Sequence, residues 1–93
     1  MANITQQAGT WQLNGDVVFA NASQLLKDSL RLNLYQTAVV DFANVTVVDT
    51  SALSLMLEWE RRAIAEQKKI SYINLPANLL SLAKLYDVES LLV

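Results

Sequence analysis

The chain contains no cysteine and no histidine. The first absence excludes disulfide scaffolds, thiolate zinc sites and cysteine nucleophiles. The second removes every histidine-based triad and the commonest general base near neutral pH. Proline occurs once, at Pro76, and glycine twice, at Gly9 and Gly15, so there is neither a linker rich in these residues nor a glycine cradle for a phosphate. Basic residues are few: 7 Lys and Arg stand against 9 Asp and Glu, for a net charge of −2. The one basic pair, Lys68-Lys69, is too small to neutralise a nucleic-acid backbone, so no nucleic-acid partner is expected. Charges interrupt every apolar stretch before about 18 residues accumulate, which argues against a membrane-spanning helix and direct membrane insertion. Met1 to Thr5 has neither a basic nor an apolar character, so no secretory signal is expected and the cytoplasm is the predicted location.

Hydrophobic residues are plentiful. They make up 53% of the chain, while charged residues make up only 17%, against about 25% in an average domain. A chain of 93 residues is read as one domain, 1–93. A small domain has proportionally more surface and ought to be more polar than average. The excess apolar area therefore suggests a surface that a partner covers.

The pattern along the chain predicts an α/β fold with a mixed β-sheet, an antiparallel hairpin at its N-terminus and helices packed over it. Ile4 to Gln7 reads as an edge strand, Gly9 as a turn, and Trp11-Gln12-Leu13 as a second strand. Asn14-Gly15 is a hairpin-turn signal, with Asp16 to Phe19 as the return strand. Asn21 is a candidate N-cap for a helix to about Leu34, with Leu26, Leu30 and Leu34 as its stripe. Thr37 to Phe42 is β-branched and apolar, as a buried strand should be. Ala43 to Asp49 reads as a connection, leading into a long helix to about Gln67. Ile70 to Leu75 is a further strand. A last helix follows Pro76, with Leu79, Leu82, Ala83 and Tyr86 as its stripe, and Leu91-Leu92-Val93 forms a short tail.

Asp49-Thr50-Ser51-Ala52 is the most specific segment. Two hydroxyl residues between an acid and an apolar helix mark a helix N-terminus, where free N–H groups and the helix dipole favour negative charge. A phosphate on either hydroxyl would add about −1.5 to −2 charge there. An ordinary helix cap has the same pattern. In the helix that follows, Leu53, Leu57 and Ile64 fall on one flank and are expected to face the sheet. Leu55 and Trp59 would then lie near the surface beside Arg62, as an apolar anchor with a polar rim. Asp41 and Asp49 are carboxylates that could pair or hold Mg²⁺, but no Lys or glycine loop lies near them in sequence. No enzymatic activity, metal or cofactor is expected.

Val39-Val40-Asp41-Phe42, followed by Val45 to Leu53 with its Asp49-Thr50-Ser51-Ala52-Leu53 core, resembles the STAS domain family, the fold of anti-sigma-factor antagonists. The family shows Asp-Ser-Ser-Gly-Leu at this place, and Ala52 stands where its glycine stands. Thr50 after the Asp, together with Ser81-Leu82-Ala83-Lys84-Leu85-Tyr86, looks like the small subunit of the Mla-type phospholipid-transport ABC system. That resemblance implies a non-enzymatic regulatory or assembly subunit that binds the ABC-transporter ATPase and is held at the inner membrane only through that partner. The alternative it implies is an antagonist phosphorylated at Ser51 by an anti-sigma kinase. The predicted partner-binding residues are Asp49, Thr50, Ser51, Leu55, Trp59 and Arg62.

Overall fold

The computed structural model describes residues 2–92. The elements run β1 (Asn3–Gln7), β2 (Thr10–Val17), α1 (Phe19–Ser29), β3 (Thr37–Val48), α2 (Ser51–Ala65), β4 (Lys69–Ile73), α3 (Ala77–Leu85) and a closing 3₁₀ turn, Glu89–Leu92. Val93, the end of the expected tail, lies outside the described residues. The fold is α/β. The sheet has the order β1-β2-β3-β4, with β1 antiparallel to β2 and the later pairs parallel.

Register puts Ile4 beside Leu13, Trp11 beside Val40, and Val40 beside Tyr72. Strand side chains alternate between faces, so these residues share one face. It buries Ile4, Trp11, Leu13, Ala38, Val40 and Phe42 against Leu25, Met56, Trp59, Leu79 and Ala83 of the helices. The opposite face is polar. Amides there join three strands, Asn14 Nδ2 donating to Asn3 Oδ1 (2.8 Å) and Asn44 Nδ2 to Asn14 Oδ1 (3.0 Å).

The hairpin is antiparallel and N-terminal, as expected, but it turns at Ala8-Gly9 and not at Asn14-Gly15. Gln7 pairs with Thr10 across it, and Ala8 takes a positive φ of 55°. β2 runs straight through Asn14-Gly15. The left-handed φ of 86° at Gly15 falls inside the strand, beside a shift in the β2–β3 register. Here glycine permits a strand irregularity. Val18 and Phe19 therefore do not extend a return strand. β3, for its part, continues through the predicted connection, because Val45 pairs with Gly15 and Val48 with Val17.

Helix α1 begins two residues before the predicted cap. Asn21 lies within the first turn, and its Oδ1 accepts the Val18 N–H at 3.0 Å. The helix also stops earlier than Leu34. Ser29 Oγ donates to the Leu26 carbonyl, and the Arg62 guanidinium donates to the carbonyls of Ser29 (2.9 Å) and Leu32 (2.5 Å). A cation on the last carbonyls satisfies groups that the helix leaves free. Leu25 and Leu34 are buried while Leu30 is exposed, so the expected stripe is displaced.

The largest correction concerns α2. Leu55 is 3% exposed and Trp59 1% exposed, whereas Ile64 is 74% exposed and Leu57 is also at the surface. The buried residues are Ala52, Leu53, Leu55, Met56, Trp59 and Ala63, so of the three expected to face the sheet only Leu53 is buried. Trp59 stands edge-on to Trp11, with centroids 5.7 Å apart, and its indole N–H donates to Ser29 Oγ at 2.9 Å. A buried indole with a partner for its N–H removes far more apolar surface from water than Ile64 could. Arg62 belongs to this same structure. Besides the two carbonyls it bonds Glu66 at 2.9 Å and lies 5.7 Å from the Trp11 ring centroid. Leu55 and Trp59 are therefore core side chains and not the exposed anchor expected, and the guanidinium of Arg62 is occupied within the fold.

Candidate functional site

Asp49 leaves β3 at the point where α1 and α2 both begin. Its Oδ1 accepts the Ser51 N–H (2.8 Å), and its Oδ2 accepts the Phe19 N–H (3.0 Å). These are the first amides of the two helices, which have no partner within their own helix. One carboxylate therefore caps two helices. Thr50 occupies the N-cap position of α2 but makes no side-chain cap, and Asp49 does the capping instead. Thr50 is exposed and Ser51 half-buried. Ala52 is fully buried, so its methyl group packs into the core and does not obstruct an approaching partner.

Burial raises the Asp49 pKa. The hydrogen bonds from the Phe19 backbone, the Ser51 backbone and the Ser51 side chain outweigh that effect, and the carboxyl titrates below its ordinary value of 3.8. The sign follows from linkage. The charged form is favoured in the folded protein, so its stabilisation is complete above the unfolded-state value and is lost as pH falls through the lowered one. The stability difference between wild type and Asp49→Asn is expected to be full at neutral pH and to shrink below about pH 4. Urea titrations at pH 7, 4 and 3 check this, and a difference independent of pH would contradict it.

Three shallow grooves meet at Thr50, Ser51 and Ser54. One, between the starts of α1 and α2, is lined by Phe19, Ala22, Leu26, Ser51 and Leu55, with Glu58 at its side. The second runs past Leu53, Leu57, Tyr86 and Val88. The third passes Val48, Asn78, Ser81, Leu82 and Leu85 toward α3. Phe19 is 84% exposed and Leu85 74%, and Leu57 and Tyr86 are also open to solvent. Among the described residues, no Lys or Arg lines these grooves, and Asp49 and Glu58 are the only charged residues that do.

The structure thus keeps Asp49, Thr50 and Ser51 together at the predicted turn, with Leu55 at the floor of one groove and Trp59 and Arg62 engaged in the fold away from it. The large apolar side chains exposed around the turn are Phe19, Leu57, Leu85 and Tyr86. The sequence pattern places Phe19 in a strand, Leu57 against the sheet and Tyr86 in the core, so it does not reveal these three positions as surface. The available signal was Trp59: once the larger ring is placed inside, Leu57 rotates outward. Asp41 and Asp49 have separate partners, Asp41 Oδ1 accepting from the Ala43 N–H (2.8 Å) and from Asn74 Nδ2 (2.9 Å). Among the described residues, no group of three or more acidic side chains is placed to hold a metal.

A family model described as "Mlab, STAS domain" matches residues 1–93. No curated protein matches the chain in sequence. Among solved structures, the anti-sigma factor antagonist SpoIIAA in its unphosphorylated form superposes with a TM-score of 0.63 at 13% identity, covering 90% of this chain and 82% of that one. The Bacillus cell fate determinant SpoIIAA in its phosphorylated form gives 0.67 at 12% identity, over 100% and 89%. A structure named Mglu gives 0.60 at 21% identity, where 80% of this chain covers 19% of that one. At these identities the superpositions show a shared fold.

Proposed function

The chain belongs to the STAS domain family, whose members of this kind are regulatory protein-interaction domains, and from that premise we propose that it is a cytoplasmic subunit docking on the ATPase of a phospholipid-transport ABC system. In this reading it spans residues 1–93 as one domain and reaches the inner membrane only through its partner. The observation that carries the reading is the turn at Thr50 and Ser51, where exposed Thr50 joins two grooves and Ser51 lines a third, ringed by Phe19, Leu57, Leu85 and Tyr86. Aromatic and aliphatic side chains around a small polar centre are the composition of an interface core. Among the described residues the groove walls carry no cation, and their acids suit a partner that contributes apolar side chains and a basic residue beside Glu58. The contact set is Thr50, Ser51, Phe19, Leu57, Leu85 and Tyr86, with Asp49 beneath it.

Affinity-tagged chain expressed in its own host, with membranes solubilised in detergent, tests the proposal. An ABC-type ATPase identified by mass spectrometry at near-equal yield is expected, and its absence would sink the reading. A second reading, an antagonist switched by phosphate on Ser51, is favoured by the likeness to both forms of SpoIIAA. It would show instead as a co-purifying kinase and a phosphate-sized mass increment on Ser51.

A further inference from the structure

We propose that Asp49 is a positioning residue for this surface: its two hydrogen bonds hold Phe19 and Ser51 side by side, and Phe19, not Asp49, touches the partner. The inference rests on the reading that a partner meets this turn. Both oxygens of Asp49 are already engaged, one to each helix start. A carboxylate holding one amide at each oxygen is fixed between the two helix starts, and its remaining lone pairs are fixed with it.

Phe19 is the opposite case. Its backbone is fixed from both sides, because its own N–H is held by Asp49 and the preceding Val18 N–H is held by Asn21. Its ring is almost wholly exposed and lines the same groove as Ser51, Ser54 and Leu26. A large apolar side chain on a rigid backbone loses little further conformational freedom on binding, which favours its use as an anchor. Asp49 sets where that anchor stands relative to the Ser51 hydroxyl, since it bonds the amides of both residues. No sequence pattern links the two positions, which are 30 residues apart.

The test has two arms. In the first, amide hydrogen exchange is followed by NMR in wild type, Asp49→Ala and Asp49→Asn. The Phe19 and Ser51 amides should exchange at least about tenfold faster in Asp49→Ala, while strand amides such as that of Val40 stay protected, because only the first helical amides depend on the carboxylate. Asn has one acceptor oxygen, so Asp49→Asn should release one of the two amides and keep the other. It also serves if the alanine variant fails to fold. Unchanged exchange at Phe19 overturns the proposal.

In the second arm, binding to the co-purified ABC ATPase is measured for Phe19→Ala, Asp49→Ala (or Asp49→Asn) and the double variant. Each single variant should lose at least about tenfold, and the double variant should lose no more than the worse single one, because both remove the same contact. Additive losses would mean that Asp49 touches the partner itself and would overturn the proposal. Failure of the wild type to bind any ATPase defeats the underlying reading. The exchange arm still reports the clamp by itself, so the two failures are distinguishable.

Discussion

Trp59→Ala is expected to destabilise the protein by about 3–5 kcal/mol, the range for deleting a buried aromatic side chain. Domains of this size are stable by only about 5–15 kcal/mol, so the variant loses much of its margin. Three losses coincide. The indole leaves a cavity in the buried core beside Trp11. The edge-on contact with Trp11 disappears, which alone is worth about 0.5–1.5 kcal/mol. Ser29 Oγ loses the donor that reached it from α2, although it keeps its own bond to the Leu26 carbonyl. Trp59→Phe preserves the ring contact and gives up the N–H bond, so it should cost clearly less. Urea unfolding of the three proteins checks the order, wild type most stable and alanine least. An alanine variant within about 1 kcal/mol of wild type would mean that Trp59 is not the keystone between α1, α2 and β2. A partner-binding defect in this variant would therefore report unfolding, not a lost contact.

The way the sequence misleads here is physical. Hydrophobic periodicity on α2 is broad, because Leu53, Leu55, Met56, Leu57, Trp59 and Ile64 cover more than half the cylinder. Periodicity names the arc but not which part of it turns inward. That choice depends on what receives the side chains, and the receiving groups, Trp11 and Ser29, lie 48 and 30 residues away in sequence. The same limit explains Asn14-Gly15. The pair permits a turn, but pairing of Asn3–Gln7 with Thr10–Asn14 closes the hairpin earlier and spends the glycine on an irregular register. Element order and the turn at Asp49 were legible because they follow from local chemistry: β-branched runs, a proline before α3, an acid and two hydroxyls before an apolar helix. The identity of the cap was not. Asp49 reaches Phe19 across a crossover, and no local rule contains that contact.

Thr50→Glu separates surface from scaffold, and it is expected to abolish partner binding by about thirtyfold or more while leaving stability close to wild type. The fold has little reason to object. Thr50 is exposed and its hydroxyl caps nothing, and a negative charge at the start of α2 is favoured by the helix dipole, by about 0.3–1 kcal/mol at an exposed site. Repulsion from Asp49, whose carboxylate is ionised and fully hydrogen-bonded at neutral pH, offsets part of that gain. The partner has every reason to object. Thr50 lies where the grooves past Leu57 and Leu85 converge, so a docked subunit would have to strip water from the new carboxylate without a cation on this side to receive it. Burying an unpaired charge costs several kcal/mol, and a loss of 2 kcal/mol is about thirtyfold in affinity. Thr50→Ser, which keeps the hydroxyl and removes only a methyl group, should bind within about threefold of wild type. Thermal melts and ATPase capture on the same three preparations distinguish the cases. If Thr50→Glu binds as tightly as wild type, the partner does not cover this turn and the docking surface lies elsewhere on the molecule. If it binds poorly but also melts early, the loss belongs to the fold, and Phe19→Ala, at a largely exposed ring, then decides whether the surface is the one described.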